Sequence, residues 1–203
     1  MHDMTPPFDP AIWLDDALQI VTLRLEHEVA LTRLLRGEPR QEGFLGLFVS
    51  DTEAQAIIGE LAGTPSVMGA TISQQQINAH WDRITKTRGG IWQSYADRLG
   101  LGPAELDLVL LAAAPAVDPR FARVYGYLND DMAKRHLTPA LARLLLDRHA
   151  PSVTDMRAMC APASALLRFG ILTAPVTTPF NDTPLHLSED VLCNLVGAPS
   201  PQH

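Results

Sequence analysis

The chain has 203 residues, of which 46% are hydrophobic, 19% charged and 6% aromatic, so it is long enough to bury a core as one or two domains. Its formal charge is -7 at pH 7, with 16 basic and 23 acidic residues, which disfavours general binding to nucleic acid or to an anionic membrane surface. The two cysteines, Cys160 and Cys193, make no disulfide framework, and no export signal or membrane anchor is recognised. We therefore expect a cytoplasmic protein.

A long helix is the first predicted element, over residues 11–36. Pro10 before it and Gly37 after it are typical start and stop residues. Because its apolar residues form two stripes at helical spacing, the helix has to be covered on two sides. The stripes are Leu14, Leu18, Val21, Leu25 and Val29, and Ile20, Leu23, Leu31, Leu34 and Leu35. Apolar residues of this helix that stay exposed are the first place to look for a partner site.

A second helix is predicted after the apolar run at residues 44–48. Ser50 or Asp51 can cap its first turn, with Glu53 near the start. Apolar residues then follow at helical intervals, which supports the assignment. They are Ala54, Ile57, Ile58 and Leu61.

The main domain boundary is predicted at a pair of glycines. Residues 73–87 are polar but compatible with a helix, and Gly89 and Gly90 then interrupt the pattern. We therefore expect an N-terminal helical domain over residues 1–90 and a second domain over residues 91–203.

The second domain is predicted to begin with a helix, a glycine turn and another helix. The first of these helices ends at Gly100, and the next begins at Pro103 and is stopped by Pro115. Residues 121–128 continue the helical pattern, and Pro139 restarts it. This order is the outline of a helix-turn-helix.

Two short strand-like segments follow, at residues 169–174 and 184–187, separated by a turn-rich stretch. A last helix is predicted over residues 191–196, capped by Ser188. Several helices followed by a two-stranded hairpin are typical of a winged helix. The predicted fold class is mainly α, a helical domain followed by a winged-helix-like domain with a small two-stranded β-wing.

No set of catalytic or metal-binding residues is apparent. The phosphate-binding motif GxxxxGK[ST] is absent, since the chain has no Gly-Lys pair, and the seven histidines have no metal-ligand spacing. Cys160 is expected to be a small buried thiol, because Arg157 is the sole nearby cation that could lower its pKa. We therefore expect no catalytic residue, no cofactor and no metal in this chain, which is then not an enzyme.

An acidic cluster at Asn129, Asp130 and Asp131 has two interpretations. The simpler one is a turn whose side chains cap the next segment. The other is an acid or base site of an unrecognised enzyme, in which Asp130 and Asp131 lie in a pocket with His136.

Binding to specific DNA is the alternative function rather than the preferred one. The candidate recognition helix, residues 138–148, offers only Arg143 and Arg148, and the wing carries no lysine or arginine. A small basic patch is the candidate interaction site, and we expect its cations to pair with nearby acids or with acids of a partner. Its residues are Arg120, Arg123, Lys134 and Arg135.

Most of the chain resembles a known family. Residues 99–131, with Lys134, Arg135 and Thr138 after them, resemble the variant winged-helix region that precedes the ATPase core of a group of bacterial AAA-type ATPases. Three further segments are similar to parts of the same region: residues 44–53, 165–172 and 187–192.

This resemblance implies a non-catalytic N-terminal region whose ATPase core would follow His203 and would bind ATP and Mg²⁺. Residues 199–201 would suit a linker into that core. Members of the family include ATPases encoded with contractile injection systems related to phage tails. The implied partners are the chain's own C-terminal AAA core and a substrate or partner protein, within a full-length protein that can oligomerise. A winged-helix DNA-binding regulator is the alternative.

Overall fold

A computed structural model describes most of the second half of the chain and two segments of the first. The predicted domain boundary at residues 90 and 91 and the apolar run at residues 44–48 lie outside the described residues, as does most of the segment 73–87. The described residues are 10–36, 50–61, 75, 79, 96–146, 149–175 and 179–196.

Helices make up most of the described part of the chain. Residues 96–99 are helical and end at Gly100, whose φ of 66° is the left-handed conformation that glycine adopts without strain. The other helices are α1 (Pro10–Arg36), α2 (Asp51–Leu61), α3 (Pro103–Val117), α4 (Pro119–Leu128), α5 (Pro139–Leu145), α6 (Val153–Met159), α7 (Ala165–Arg168) and α8 (Glu189–Val196). Among the described residues, none of these helices combines the length and hydropathy needed to cross a bilayer.

A small antiparallel sheet closes the second half. Strand β1 (Leu172–Thr173) pairs with β2 (His186–Leu187), and a one-turn 3-10 helix, Phe180–Asp182, lies in the wing between them. Leu137 adds an isolated bridge to the same edge, where the Leu185 amide donates to the Leu137 carbonyl at 2.8 Å. From α4 onward the order is helix, bridge, three helices of which the last is the four-residue α7, strand, wing and strand. This is the order of a winged helix with one additional short helix, which confirms the predicted fold class. In register, Leu172 faces Leu187 and Thr173 faces His186.

The predicted first helix is confirmed, but its apolar stripes differ in burial. The first stripe is covered by neighbouring helices, and the second is buried at Ile20. Towards the C-terminal end of α1, Leu34 and Leu35 are 79% and 88% exposed. The expectation of cover on two sides is therefore wrong for the last turns of this helix.

The predicted N-terminal cap at Ser50 is confirmed, and a second cap is observed at Thr138. The Ser50 hydroxyl accepts from the Glu53 amide at 3.1 Å, and the Thr138 hydroxyl accepts from the Leu141 amide at the same distance. The last helix begins at Glu189, two residues earlier than predicted.

Pro115 does not stop its helix as predicted. Helix α3 continues through Pro115 to Val117, although a proline has no amide hydrogen for the carbonyl four residues before it, which belongs to Leu111. That carbonyl instead accepts from the hydroxyl of Tyr125 on α4, at 2.7 Å. Tyr125 is wholly buried, and burial raises the pKa of its hydroxyl, which stays protonated as a donor.

The described helices of both halves share one hydrophobic core. Helix α1 packs against α2, α3, α4, α5 and α8, and α2 packs against α4. Buried residues of α1 and α2, such as Val21 and Ile57, belong to the same cluster as Leu111 and Phe121. The winged-helix unit is therefore built directly on α1.

We expect Tyr125→Phe to lower the free energy of unfolding by about 2 kcal/mol, because the buried Leu111 carbonyl loses its donor. In a Pro115→Ala background residue 115 regains an amide hydrogen for that carbonyl, so the same substitution should cost less than about 1 kcal/mol. Urea unfolding of the four proteins of this double-mutant cycle measures the difference. Equal costs in both backgrounds would contradict the role assigned to Tyr125.

Candidate interaction surface

Arg120 and Arg123, the first two residues of the predicted basic patch, hold α2 against α4. The Asp118 carboxylate caps α4 by accepting from the Arg120 amide at 2.8 Å, and it also binds the Arg120 guanidinium at 2.6 Å. This side-chain hydrogen bond is the main reason that the pKa of Asp118 lies below its ordinary value. Arg120 Nη1 donates to the Glu60 carbonyl of α2 at 3.0 Å, and Arg123 pairs with Glu53 of the same helix.

Lys134 and Arg135 lie on the loop after α4, away from the contacts that the first two arginines make. Lys134 Nζ is 2.8 Å from Asp182 Oδ1 in the wing and 3.8 Å from Asp131 Oδ2. The hydrogen bond with Asp182 is the main cause that raises the pKa of Lys134. Arg135 is exposed and donates to the Met132 carbonyl at 2.9 Å. Three of the four cations are thus paired with carboxylates of this chain.

The cluster at residues 129–131 forms a turn. Asn129 Nδ2 donates to the carbonyls of Lys134 and His136, at 2.8 and 3.1 Å, and its Oδ1 accepts from the Thr138 hydroxyl at 2.9 Å. Asp130 has a φ of 54°, and Asp131 accepts from the Ala133 amide. Among the residues that the structure describes, no three His, Cys, Asp or Glu side chains are placed to hold a metal ion.

His136 and His186 lie beside the Leu137 to Leu185 bridge. Their ring centroids are 5.6 Å apart, with the planes tilted by 58°. Nε2 of His136 is buried and has no hydrogen-bond partner. Burial, followed by the nearby charges of His186 and Lys134, lowers the pKa of His136. The folded protein therefore favours a neutral imidazole at this position.

The third helix of the winged-helix unit is α6, which follows α4 and α5, and the four-residue helix α7 lies between α6 and the first strand. The candidate recognition helix expected at residues 138–148 is α5, the second helix. It ends at Leu145, and residue 148 lies outside the described part of the chain.

Helix α6 was missed by the sequence analysis, although one signal marks its start. Ser152 and Asp155 form a capping box, in which the Ser152 hydroxyl accepts from the Asp155 amide at 3.1 Å and Asp155 Oδ2 accepts from the Ser152 amide at 2.8 Å. The pattern Ser-x-x-Asp is visible in the sequence. Only Met156 of this seven-residue helix is buried, so its hydrophobic periodicity is too weak to detect.

The outer face of α6 joins its neighbours on both sides. The Arg157 guanidinium lies 4.5 Å from the centre of the Phe180 ring in the wing. At the other end, Arg143 of α5 donates from Nε to the Pro151 carbonyl at 3.4 Å, just before α6 begins. The second helix, the third helix and the wing therefore present one connected surface.

Cys160 has the inert environment that its sequence context predicts. The thiol is buried, and burial raises its pKa to about 11. Arg157, the nearby cation that could have lowered this pKa, lies over the Phe180 ring. At neutral pH the thiolate, which is the nucleophilic form, is therefore scarcely populated.

Two polar contacts in the interior were also missed. Asp107 of α3 is completely buried, and its Oδ2 lies 2.6 Å from Nε2 of His149, which follows α5. Arg24 and Glu28 of α1 are buried as a pair at 3.1 Å, and Arg24 donates to the Leu144 carbonyl at 2.9 Å. These contacts fix the end of α5 and the start of the loop into α6.

We expect stability to fall as the pH drops below about 6.5, the ordinary value for His136. The unfolded chain then takes up a proton at His136 that the folded chain resists, and the loss levels off once the pH is below the lowered pKa of the folded state. His136→Phe keeps a ring beside His186 but cannot be protonated, so its urea midpoint should fall less between pH 7.5 and pH 5.5. An equal fall in both proteins would contradict this account.

Comparison with known proteins supports the architecture. The sequence matches the family model described as winged helix domain, variant, over residues 9–203. No curated protein and no solved structure gave a match. The family match covers nearly the whole chain, and the order of helices and strands agrees with it. The chain belongs to the variant winged helix domain family.

Proposed function

We propose that this winged helix binds protein rather than DNA. The observation that carries the proposal is the state of its cations: Arg120, Arg123 and Lys134 are bound to carboxylates of the chain itself. A phosphate backbone would have to compete with these intramolecular partners for each side chain.

The elements that a winged helix presents to DNA are also poor in positive charge. Helix α6 has one arginine, Arg157, the short α7 has one, Arg168, and the wing between β1 and β2 has no lysine or arginine. Proteins that bind duplex DNA neutralise many phosphates at once, about six to ten in the tighter cases. The net charge of -7 adds long-range repulsion.

We further propose that the chain acts as the non-catalytic N-terminal region of a cytoplasmic AAA-type ATPase. The resemblance of residues 99–131 to the region before such ATPase cores supports this assignment. The docking role then serves a substrate or partner protein and the AAA core, and only that core binds ATP and Mg²⁺. The absence of a GxxxxGK[ST] motif from the sequence is in keeping with a non-catalytic part.

We expect no shift of a labelled DNA duplex at about 50 mM salt with up to about 10 μM protein, because the paired cations leave too few phosphate contacts. The matched control is the double variant Glu53→Gln with Asp182→Asn, which removes the carboxylates bound to Arg123 and Lys134. This variant should bind the duplex more strongly than the unmodified chain does. A salt-dependent shift by the unmodified chain would favour the DNA-binding regulator instead.

The ATPase assignment has its own test in the reading frame that follows the codon for His203. We expect a Walker motif in that frame and no release of phosphate from ATP by the 203-residue chain alone. ATP hydrolysis by the chain alone would contradict its non-catalytic role. A frame without a Walker motif would contradict the assignment to an AAA-type ATPase. The protein-docking role would then be tested by the DNA experiment alone.

A further inference from the structure

One surface of the winged-helix unit combines free positive charge with an exposed apolar side chain. It consists of Arg143, Val153, Arg157 and Phe180, and we call it the α6 strip. Arg143, Val153 and Arg157 are exposed, with Val153 at 43%, and Phe180 is partly buried.

Side-chain contacts and helical spacing connect the strip from end to end. Arg143 reaches the Pro151 carbonyl, two residues before Val153. Val153 and Arg157 are four residues apart on α6 and so share one face of the helix. Arg157 then lies over Phe180, which extends the strip onto the wing.

The two arginines of the strip differ from those of the basic patch in their partners. Within the described residues, neither Arg143 nor Arg157 forms an ion pair with a carboxylate. Asp155 is the acid on the same helix, and its carboxylate is held at the capping box because it accepts from both the amide and the hydroxyl of Ser152. The strip is therefore positive on a chain that is acidic overall.

The geometry of Arg157 suits a carboxylate. A guanidinium stacked on an aromatic ring uses its flat face and keeps its in-plane N–H groups as donors for a bidentate pair. The ring also restricts the side chain, which reduces the entropy lost on binding. Arg143 uses Nε for the Pro151 carbonyl, and this leaves its terminal nitrogens for another acceptor.

We propose that the α6 strip binds an acidic segment of a partner protein, with carboxylates on Arg143 and Arg157 and an apolar side chain against Val153. This inference rests on the proposed protein-docking function and names the chemistry of the partner. Two cations are enough for a short acidic peptide, whereas a DNA duplex requires several phosphate contacts. Charge complementarity therefore favours the peptide.

The test is a fluorescence-anisotropy titration with a short labelled peptide in which glutamates flank one leucine. We expect saturable binding that weakens with salt, and no binding of the same peptide with lysines in place of glutamates. Arg157→Gln and Arg143→Gln should each weaken binding about tenfold, the effect of losing one charge-assisted hydrogen bond. The matched control is Arg98→Gln, which removes the same charge from an exposed residue outside the strip and should change the affinity less than about twofold.

Unchanged thermal unfolding of the three variants shows that any loss is not a loss of fold. If the peptide does not bind, or if Arg98→Gln weakens binding as much as Arg157→Gln, the α6 strip is not the docking site. The proposed function still stands in that case, provided that no DNA is bound. A DNA shift that Arg157→Gln abolishes would overturn both the strip and the protein-docking function.

Discussion

The hydrogen bond from the Tyr125 hydroxyl to the Leu111 carbonyl is the constraint on which the rest of the fold depends. Pro115, in the last turn of the most buried of the described helices, has no amide hydrogen to give to the Leu111 carbonyl in the middle of that helix. An unmet carbonyl there would be costly. Because Tyr125 supplies the donor from α4, the polar requirement of α3 is met by a tertiary contact. Helix α4 is thereby placed so that Arg120 and Arg123 can reach α2, and so that Asn129 can order the loop into α5.

Polar contacts in the interior also join helices to one another. Asp107 with His149, and Arg24 with the Leu144 carbonyl, join α3 and α1 to the end of α5. Buried polar contacts of this kind give specificity of arrangement more than net stability. They fix the end of α5 and the start of the loop that leads to α6, and the Ser152–Asp155 capping box marks where α6 begins. Within the described part of the chain, the groups on the exposed face of α6 that can bind a partner are the side chains without an ion pair, among them Arg157.

Features with a local cause could be predicted from the sequence. The long α1, the cap at Ser50 and the two-stranded wing all follow from periodicity, a hydroxyl position and turn residues. Features with a distant cause could not. The passage of α3 through Pro115 requires a donor from another helix, and the burial of Asp107 requires His149, 42 residues further on.

The α6 strip could not be predicted from the sequence for a related reason. Three of the four basic residues that stand out in the sequence, Arg120, Arg123 and Lys134, are neutralised by the fold, since each has a carboxylate within reach in space. Helix α6 is short and has a single buried residue, Met156, so neither its existence nor the position of Arg157 could be inferred from hydrophobic spacing. Its capping box was the one available sign.

The stack of Arg157 on Phe180 joins two elements that are far apart in the chain. An anion bound to that guanidinium would bind more tightly when the Phe180 ring is fixed in place. By thermodynamic reciprocity, binding of the anion would then stabilise the wing. The ion pair of Lys134 with Asp182 anchors the same wing. Binding of an anion at α6 and ordering of the wing would therefore be coupled, so that either one reports on the other.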